Sequence, residues 1–497
     1  MLGGAPNNCH RIRAGGVYIK RSQDWMGEVM CITPVKVAFA SLLLFCFQVV
    51  ATADNVDDFI TAQMRKRHIP GLSLAVIKDG KVVKMRGYGL ASVEFGVPAT
   101  EESVYQIASL TKTFTATAIL MLVEEGRLGL DDRVARHLSG LPAAWGEITI
   151  RHLLTHTSGV IGDPLPWSLE TVGKFYPRDE YLRLILNAPL QFPPGTRYGY
   201  ANSDYYLLAV ILEKVGGRPH GEFLSDRIFK PLGMTSTRVN DPWAVVANRV
   251  SPYGWDQGRL VVPLLFHPSQ TTGSGDLLST VADLAKFDAA LAGGRLLKKS
   301  SLEQMWAPAK LDSGEEVSYG LGWTTFNFRG HRIVGHGGNT MGFASQLSRL
   351  VDDGVSIILL CNMFRGDDAP FKLSFRLAGL FIPDLAIPAR PIADTDQQVT
   401  RKVRLLLEGI AEGRVDTTFL SPRLRGAFSP DVIKAIRQQY AEQYGRLRSL
   451  SLLEKKADGP TRLYMYRAAF EMKTLLYYLR VTREGELDDL GQEPEDE

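Results

Sequence analysis

The sequence predicts a mixed α/β domain followed by a small α+β unit, and three observations carry that prediction. Strand-like runs stand at residues 72–88 and again at 332–361, on either side of a long stretch with helical spacing, so the terminal strands are expected to pair in one sheet. A proline-rich polar break, Ile387 to Gln398 (IPARPIADTDQQ), then separates this body from a second set of helices and strands.

In chain order, LSLAVI (72–77) and KVVKMRGY (81–88) flank Lys78-Asp79-Gly80 and predict a β-hairpin on an Asp-Gly turn. Ser109 to Glu125 carries apolar residues at helical spacing and stops at Gly126; Tyr205 to Val215 does the same and stops at Gly216-Gly217. Residues 332–334, 343–350 and 355–361 predict strands, the last two joined by Asp353-Gly354. Beyond the break, 399–412 and 430–444 predict helices, and 447–455, 461–470 and 474–482 alternate as strands. The expected organisation is a leader at 1–53, a main domain at 54–388, a linker at 389–398, an accessory unit at 399–490 of NTF2-like or cystatin-like type, and a solvated acidic tail at 491–497.

The 497 residues are 45% hydrophobic and 22% charged, which excludes a disordered, collagen-like or coiled-coil chain. The formal charge of +3 is local: residues 1–53 hold Arg11, Arg13, Lys20, Arg21 and Lys36 against Asp24 and Glu28, and the remainder balances. No basic face is left to displace counterions, so nucleic acid is not an expected partner. Lys36, the apolar run Val37 to Val50 and the small residues of Ala51-Thr52-Ala53 have the order of an export signal cleaved after Ala53. The run falls short of the ~20 residues of a spanning helix, so a periplasmic or secreted protein without a stable membrane span is expected. The stretch before Lys36 is long for such a leader, and Met26 or Met30 is the expected start. Cleavage would remove Cys9, Cys31 and Cys46 and leave Cys361 in an apolar strand, with no internal disulfide.

Three short patterns carry chemistry. Ser109-Leu110-Thr111-Lys112 opens an apolar helix and sets a hydroxyl and an amine one turn apart on one face. Free backbone N–H groups there favour developing negative charge, and a buried lysine of lowered pKa would activate the serine. Tyr200-Ala201-Asn202 follows the rigid turn Pro193-Pro194-Gly195; a tyrosine of depressed pKa can serve as a base, and an asparagine can hold a lysine or a substrate amide. His336-Gly337-Gly338 follows a strand, where glycines admit a close ligand and leave N–H groups for an oxyanion. His152 and His156 have the spacing of a zinc pair but lack the intervening glutamate, and no G-x-S-x-G elbow, Walker or dinucleotide fingerprint occurs; neither metal nor cofactor is expected.

Taken in this order, the three patterns resemble the boxes of the serine β-lactamase and penicillin-binding superfamily, and more closely its class C β-lactamase-like branch with D-aminopeptidases, D,D-peptidases and family VIII esterases. The surrounding blocks agree over most of residues 55–365: LLTHTSG at 153–159, FPPGTRYGYANSDYYLLAVILEKVGGRP, IFKPLGM, GDLLST at 275–280 and YGLGW at 319–323. The resemblance implies an antiparallel sheet with helices on both faces plus a helical subdomain. It implies Ser109 as acyl-accepting nucleophile, Lys112 as its base or electrostatic partner, and Tyr200 as the group that carries protons to the leaving group and later activates the deacylating water. Asn202 would hold Lys112 and substrate, His336 and Gly338 would line the substrate, and the N–H groups of Ser109 and Asn339 would form the oxyanion hole. The third box usually begins with lysine, facing a substrate carboxylate; neutral His336 there would weaken selection for free-acid substrates. The reaction implied is hydrolysis of small esters, amides or D-amino-acid peptides, cell-wall-derived ones among them, through an acyl-enzyme. The alternative is a catalytically weak penicillin-binding or wall-peptide-sensing module of the same fold.

Overall fold

The computed structural model describes residues 55–364 and 369–495, so the expected export signal lies outside the described residues. A helix over 55–67 (α1) leads into β1 (Gly71–Lys78) and β2 (Lys81–Ser92). Their turn residues Asp79 and Gly80 have φ of +50° and +73°, the pattern that a two-residue Asp-Gly hairpin requires. A short β3 (Val97–Pro98) follows. After a long middle, β4 (Thr324–Phe328), β5 (His331–Thr340), β6 (Phe343–Leu350) and β7 (Val355–Cys361) complete an antiparallel sheet of order β4-β5-β6-β7-β1-β2-β3. The first and last long strands are zipped together, Leu72 opposite Cys361 and Lys78 opposite Val355.

Further helices are α2 (Thr111–Glu124), α3 (Asn202–Gly216), α4 (Val281–Ala292) and α5 (Ala369–Phe381). Leu72, Leu74 and Val76, with Ile357 and Leu359, pack on Ile60 and Met64 of α1 and on Leu373 and Leu377 of α5. Ala75, Ile77, Ile358 and Leu360 face the opposite core, which holds Phe114 of α2 and Leu284 and Phe287 of α4. Burial on both faces is why LSLAVI and VSIILLC read as nearly unbroken apolar runs. This is the antiparallel sheet flanked by helices that the resemblance implies.

Residues 397–494 form α6 (Gln397–Glu412), a short helix Pro422–Ala427, α7 (Pro430–Gln443) and a meander of β8 (Leu447–Asp458), β9 (Thr461–Phe470), β10 (Thr474–Val481) and β11 (Leu487–Pro494). Val399, Val403, Leu406 and Ile410 of α6 lay one apolar stripe over Tyr464, Tyr466 and Tyr477. β11 corrects the expected tail. Leu475 and Tyr478 of β10 pair with Pro494 and Gly491, and Glu495 bonds Arg467, so the first acidic-tail residues complete a sheet instead of extending into solvent. The tip of the β4–β5 hairpin meets this unit: buried Arg329 pairs with Glu454, and Arg480 donates to the Asn327 carbonyl at 3.3 Å. Among the described residues no helix is long and apolar enough to cross a membrane.

Candidate active site

Ser109 lies in a single 3₁₀ turn, Ala108–Leu110, directly before α2 and not in its first regular turn. The turn opens on a strained residue, since Ala108 has φ of +45°, a left-handed conformation that costs a non-glycine residue roughly 1–2 kcal/mol. What holds it is β5 and β6. The Ser345 hydroxyl donates to the Ile107 carbonyl at 2.7 Å, and β5 passes so close that a Cβ on Gly338 would stand 2.1 Å from that carbonyl and 2.9 Å from the Ser109 nitrogen. Gly338 is thus a spacer that lets strand and turn touch.

From the next turn Lys112 reaches back along the same face, fully buried. Its Nζ lies 3.1 Å from Ser109 Oγ, 2.8 Å from Asn202 Oδ1 and 2.9 Å from the Ser274 carbonyl. Burial lowers its pKa to about 7, against the pull of Asp163 and, where ionised, Asp204. A neutral amine has two hydrogens and one lone pair. Asn202 and Ser274 accept the hydrogens, which leaves the lone pair for the Ser109 hydroxyl. Asn202 is itself oriented, its Nδ2 donating to Asp163 Oδ1 at 3.0 Å, so its oxygen must face the lysine.

Tyr200 stands just before α3, its ring 4.8 Å from Lys112 Nζ. The ring is partly exposed, but burial around the hydroxyl pushes its pKa up, only partly offset by a hydrogen bond with Ser109. The depressed tyrosine pKa allowed for in the sequence is corrected here: Tyr200 is a neutral phenol near pH 7, and the group of lowered pKa is the amine. His156 supports this segment from beneath. Its carbonyl accepts the Gly199 N–H at 2.9 Å and its Nδ1 the Ala201 N–H at 3.2 Å. Burial drives His156 and its partner Asp204, 3.0 Å away, toward their neutral forms. With that nitrogen engaged, and His152 Nδ1 accepting from Thr149 N, the two histidines serve the backbone.

β5 runs straight through the third pattern instead of ending before it. His336 is buried, its Nδ1 2.5 Å from the Gly337 carbonyl and its Nε2 2.9 Å from the Tyr319 hydroxyl. The first nitrogen therefore carries the hydrogen and the second accepts, and burial lowers the ring's pKa to about 3. The expectation that His336 meets substrate directly is corrected accordingly: both nitrogens are spent inside the protein, and Asn339 and Thr340 are the β5 residues at the cleft.

That cleft, about 690 Å³ including its open mouth, is lined by Ser109, Asn202, Ser274, Asn240, Gln270 and Asn339 on its polar side and by Leu165, Pro166, Trp167 and Phe266 on its apolar side. A model of the family described as Beta-lactamase matches residues 56–379. The chain belongs to the beta-lactamase family. Penicillin-binding protein 4* of Bacillus subtilis (strain 168) is 32% identical over 352 residues, 66% of this chain and 75% of that one. The octameric penicillin-binding protein homologue of Pyrococcus abyssi superposes with a TM-score of 0.60 at 25% identity over 90% of this chain and 96% of its own. The D-amino acid amidase of Ochrobactrum anthropi SV3, in complex with D-phenylalanine, gives 0.57 at 26% identity over 65% of this chain and 99% of its own. Within this beta-lactamase-family fold, the sequence patterns do not single out Asp163, the Ser274 carbonyl or the Trp167 wall. Asp163 lies in a loop with no periodicity, and a backbone acceptor leaves no residue-type signal.

Proposed function

We propose that this protein is an exported serine hydrolase that works through an acyl-enzyme on uncharged esters and on amides or short peptides of D-amino acids. The observation that carries the reading is the buried Lys112 amine, 3.1 Å from Ser109 Oγ with a pKa near neutrality. In this reading the neutral amine takes the Ser109 proton as Oγ attacks the substrate carbonyl. The oxyanion rests on the N–H groups of Ser109 and Asn339. Tyr200 passes its proton to the leaving group and regains one from Lys112, and the same pair then activates the water that releases the acyl group. Proton sharing between amine and phenol is a property of the pair.

The cleft supports uncharged or amine-bearing substrates over free acids. Asp163 is the one formally charged side chain on its lining among the described residues, and His336 brings no cation. A substrate ammonium suits Asp163; a substrate carboxylate would be repelled by it. Export rests on the leader sequence alone.

The test is a substrate panel on the protein from Asp54 onward: p-nitrophenyl esters, D-alanyl amides, D-Ala-D-Ala peptides and nitrocefin. Ester or amide turnover with fluorophosphonate labelling of Ser109, both lost in Ser109→Ala, is expected, with free-acid peptides at least ~10-fold slower, a difference of about 1.4 kcal/mol. Absence of labelling and of turnover on the whole panel would sink the hydrolase reading.

A further inference from the structure

One wall of the cleft is built from two loops tied together by a single side chain. Gln270 Nε2 lies 2.8 Å from the Thr171 carbonyl, 3.0 Å from that of Val172 and 2.8 Å from that of Lys174, and His267 N bonds the Val172 carbonyl at 2.9 Å. The two loops present Trp167 and Phe266, whose rings meet edge to face with centroids 5.0 Å apart. Trp167 is 59% exposed and, with Phe266 against it and Leu165 and Pro166 beside it, makes a contiguous apolar face on the cleft. The aromatic pair is also joined to the reacting groups, because the indole N–H donates to Asp163 Oδ2 at 3.2 Å and Asp163 orients the Asn202 amide that holds Lys112.

We propose that Trp167 and Phe266 form a specificity subsite for a bulky apolar group on the acyl half of the substrate, an aromatic or branched side chain or a medium-length acyl chain. This rests on the hydrolase reading above and names the acyl group for it. The acyl half is assigned because Tyr200 would serve the leaving group, whereas this wall is tied to Asn202 and Asp163. Closing such a group against two rings removes apolar surface from water on both partners. Each methylene held this way discriminates by roughly 10-fold or more in kcat/KM.

The experiment compares p-nitrophenyl acetate with p-nitrophenyl 3-phenylpropionate, and D-alanine with D-phenylalanine p-nitroanilide, in wild type, Phe266→Ala, Trp167→Ala and Trp167→Phe. Wild type is expected to favour the larger acyl group at least ~10-fold in kcat/KM, and Phe266→Ala and Trp167→Ala to pull that ratio toward unity. Trp167→Phe keeps a ring but loses the N–H to Asp163, so it should retain most of the ratio. Trp167→Ala also removes a hydrogen bond from Asp163 and so acts on every rate, which is why the ratio is the readout and why Phe266→Ala, which has no polar link, is its control. Equal rates for small and large acyl groups in wild type, or a ratio that survives both alanine substitutions, overturn the subsite while leaving the hydrolase intact. Failure of a fluorophosphonate to label Ser109 at all is the separate result that removes the hydrolase.

Discussion

His156 grips the backbone on both sides of Tyr200, taking the Gly199 N–H on its carbonyl at 2.9 Å and the Ala201 N–H on its ring at 3.2 Å. Its own φ of +57° is what turns carbonyl and ring toward the same segment. Removing the ring leaves Ala201 N without its acceptor and Asp204 Oδ2 without its partner, Ser158 still bonding Oδ1, in a site closed to water, at a cost of about 1–3 kcal/mol for each unsatisfied group. His156→Ala should therefore lower kcat by about 10²-fold with a smaller change in KM, because the phenol proposed to serve the leaving group loses its support while the substrate cleft does not. His156→Asn tolerates the left-handed conformation and can offer an acceptor, so it should recover part of kcat. Steady-state kinetics on one ester decide it, and equal losses in both variants would refute the clamp.

Lys112 makes the pH profile a direct check on its role. Its folded pKa of about 7 lies below that of a free lysine because burial penalises the ammonium. Below that pH the amine is charged and has no lone pair for the serine proton; above it the base is available. kcat/KM should accordingly rise roughly tenfold per pH unit on the acid side and level off above about pH 7. Lys112→Ala should lose at least ~10³-fold across the range, in keeping with the removal of one member of a catalytic unit.

Asp163 shifts that limb in a predictable direction. Its carboxylate favours the ammonium form of Lys112 and so works against burial. Asp163→Asn removes the charge, so burial acts with less opposition and the acid limb should move to lower pH. A limb that stays in place or moves upward would mean that Asp163 does not act on the lysine.

The parts of the molecule that follow local rules were legible in the sequence. The hairpin at Asp79-Gly80, the glycine stop of α3 and the α6 stripe each depend on a few neighbouring residues, and each was readable from them. The coarse family was legible too, because Ser109, Lys112, Tyr200 and Asn202 are recognisable residue types at recognisable spacing. What escaped was set by burial and by partners distant in the chain. His336 faces inward because Tyr319 takes its outer nitrogen, and burial around the Tyr200 hydroxyl raises its pKa above the ordinary phenol value instead of lowering it. β11 reads as an acidic tail by composition, but a ladder is made by backbone groups, to which the side-chain charge is indifferent.

Gly338 is where β5 presses closest on the backbone around Ser109, the proposed nucleophile, with no room for a Cβ, and its substitution isolates that contact. A methyl group there would meet the backbone oxygen of Ile107 at 2.1 Å and the Ser109 nitrogen at 2.9 Å, neither of which can swing aside as a flexible side chain would. Gly338→Ala must push β5 away from the turn, and so disturb the oxyanion site proposed between the Ser109 and Asn339 N–H groups. Overpacking of this kind costs about 1–3 kcal/mol. Labelling of Ser109 by a fluorophosphonate should slow by at least ~10²-fold, the effect of losing one oxyanion donor, while circular dichroism still reports a folded protein. Labelling at the wild-type rate would show that the strand and the turn are not in register for catalysis.

Arg329 offers a last test, at the opposite end of β5. Its side chain is 1% exposed and pairs with Glu454, which is 20% exposed, so the tip of the β4–β5 hairpin is fastened to the C-terminal sheet by one buried guanidinium. Arg329 itself has a left-handed φ of +55°, and it also donates to the Ala386 carbonyl at 3.3 Å. Removing the arginine leaves Glu454 to the more distant Lys456 ammonium, 3.9 Å away, and since that carboxylate keeps some water the cost is about 1–3 kcal/mol, below the figure for a fully buried pair. At roughly 2–4 °C per kcal/mol for a domain of this size, Arg329→Ala should lower Tm by several degrees. Much of that cost is the weakly compensated charge left behind and not the lost attraction, so Arg329→Met combined with Glu454→Leu should be more stable than Arg329→Met alone. If the double variant is instead the less stable of the two, the pair holds the two units together by its own net attraction and the desolvation argument fails.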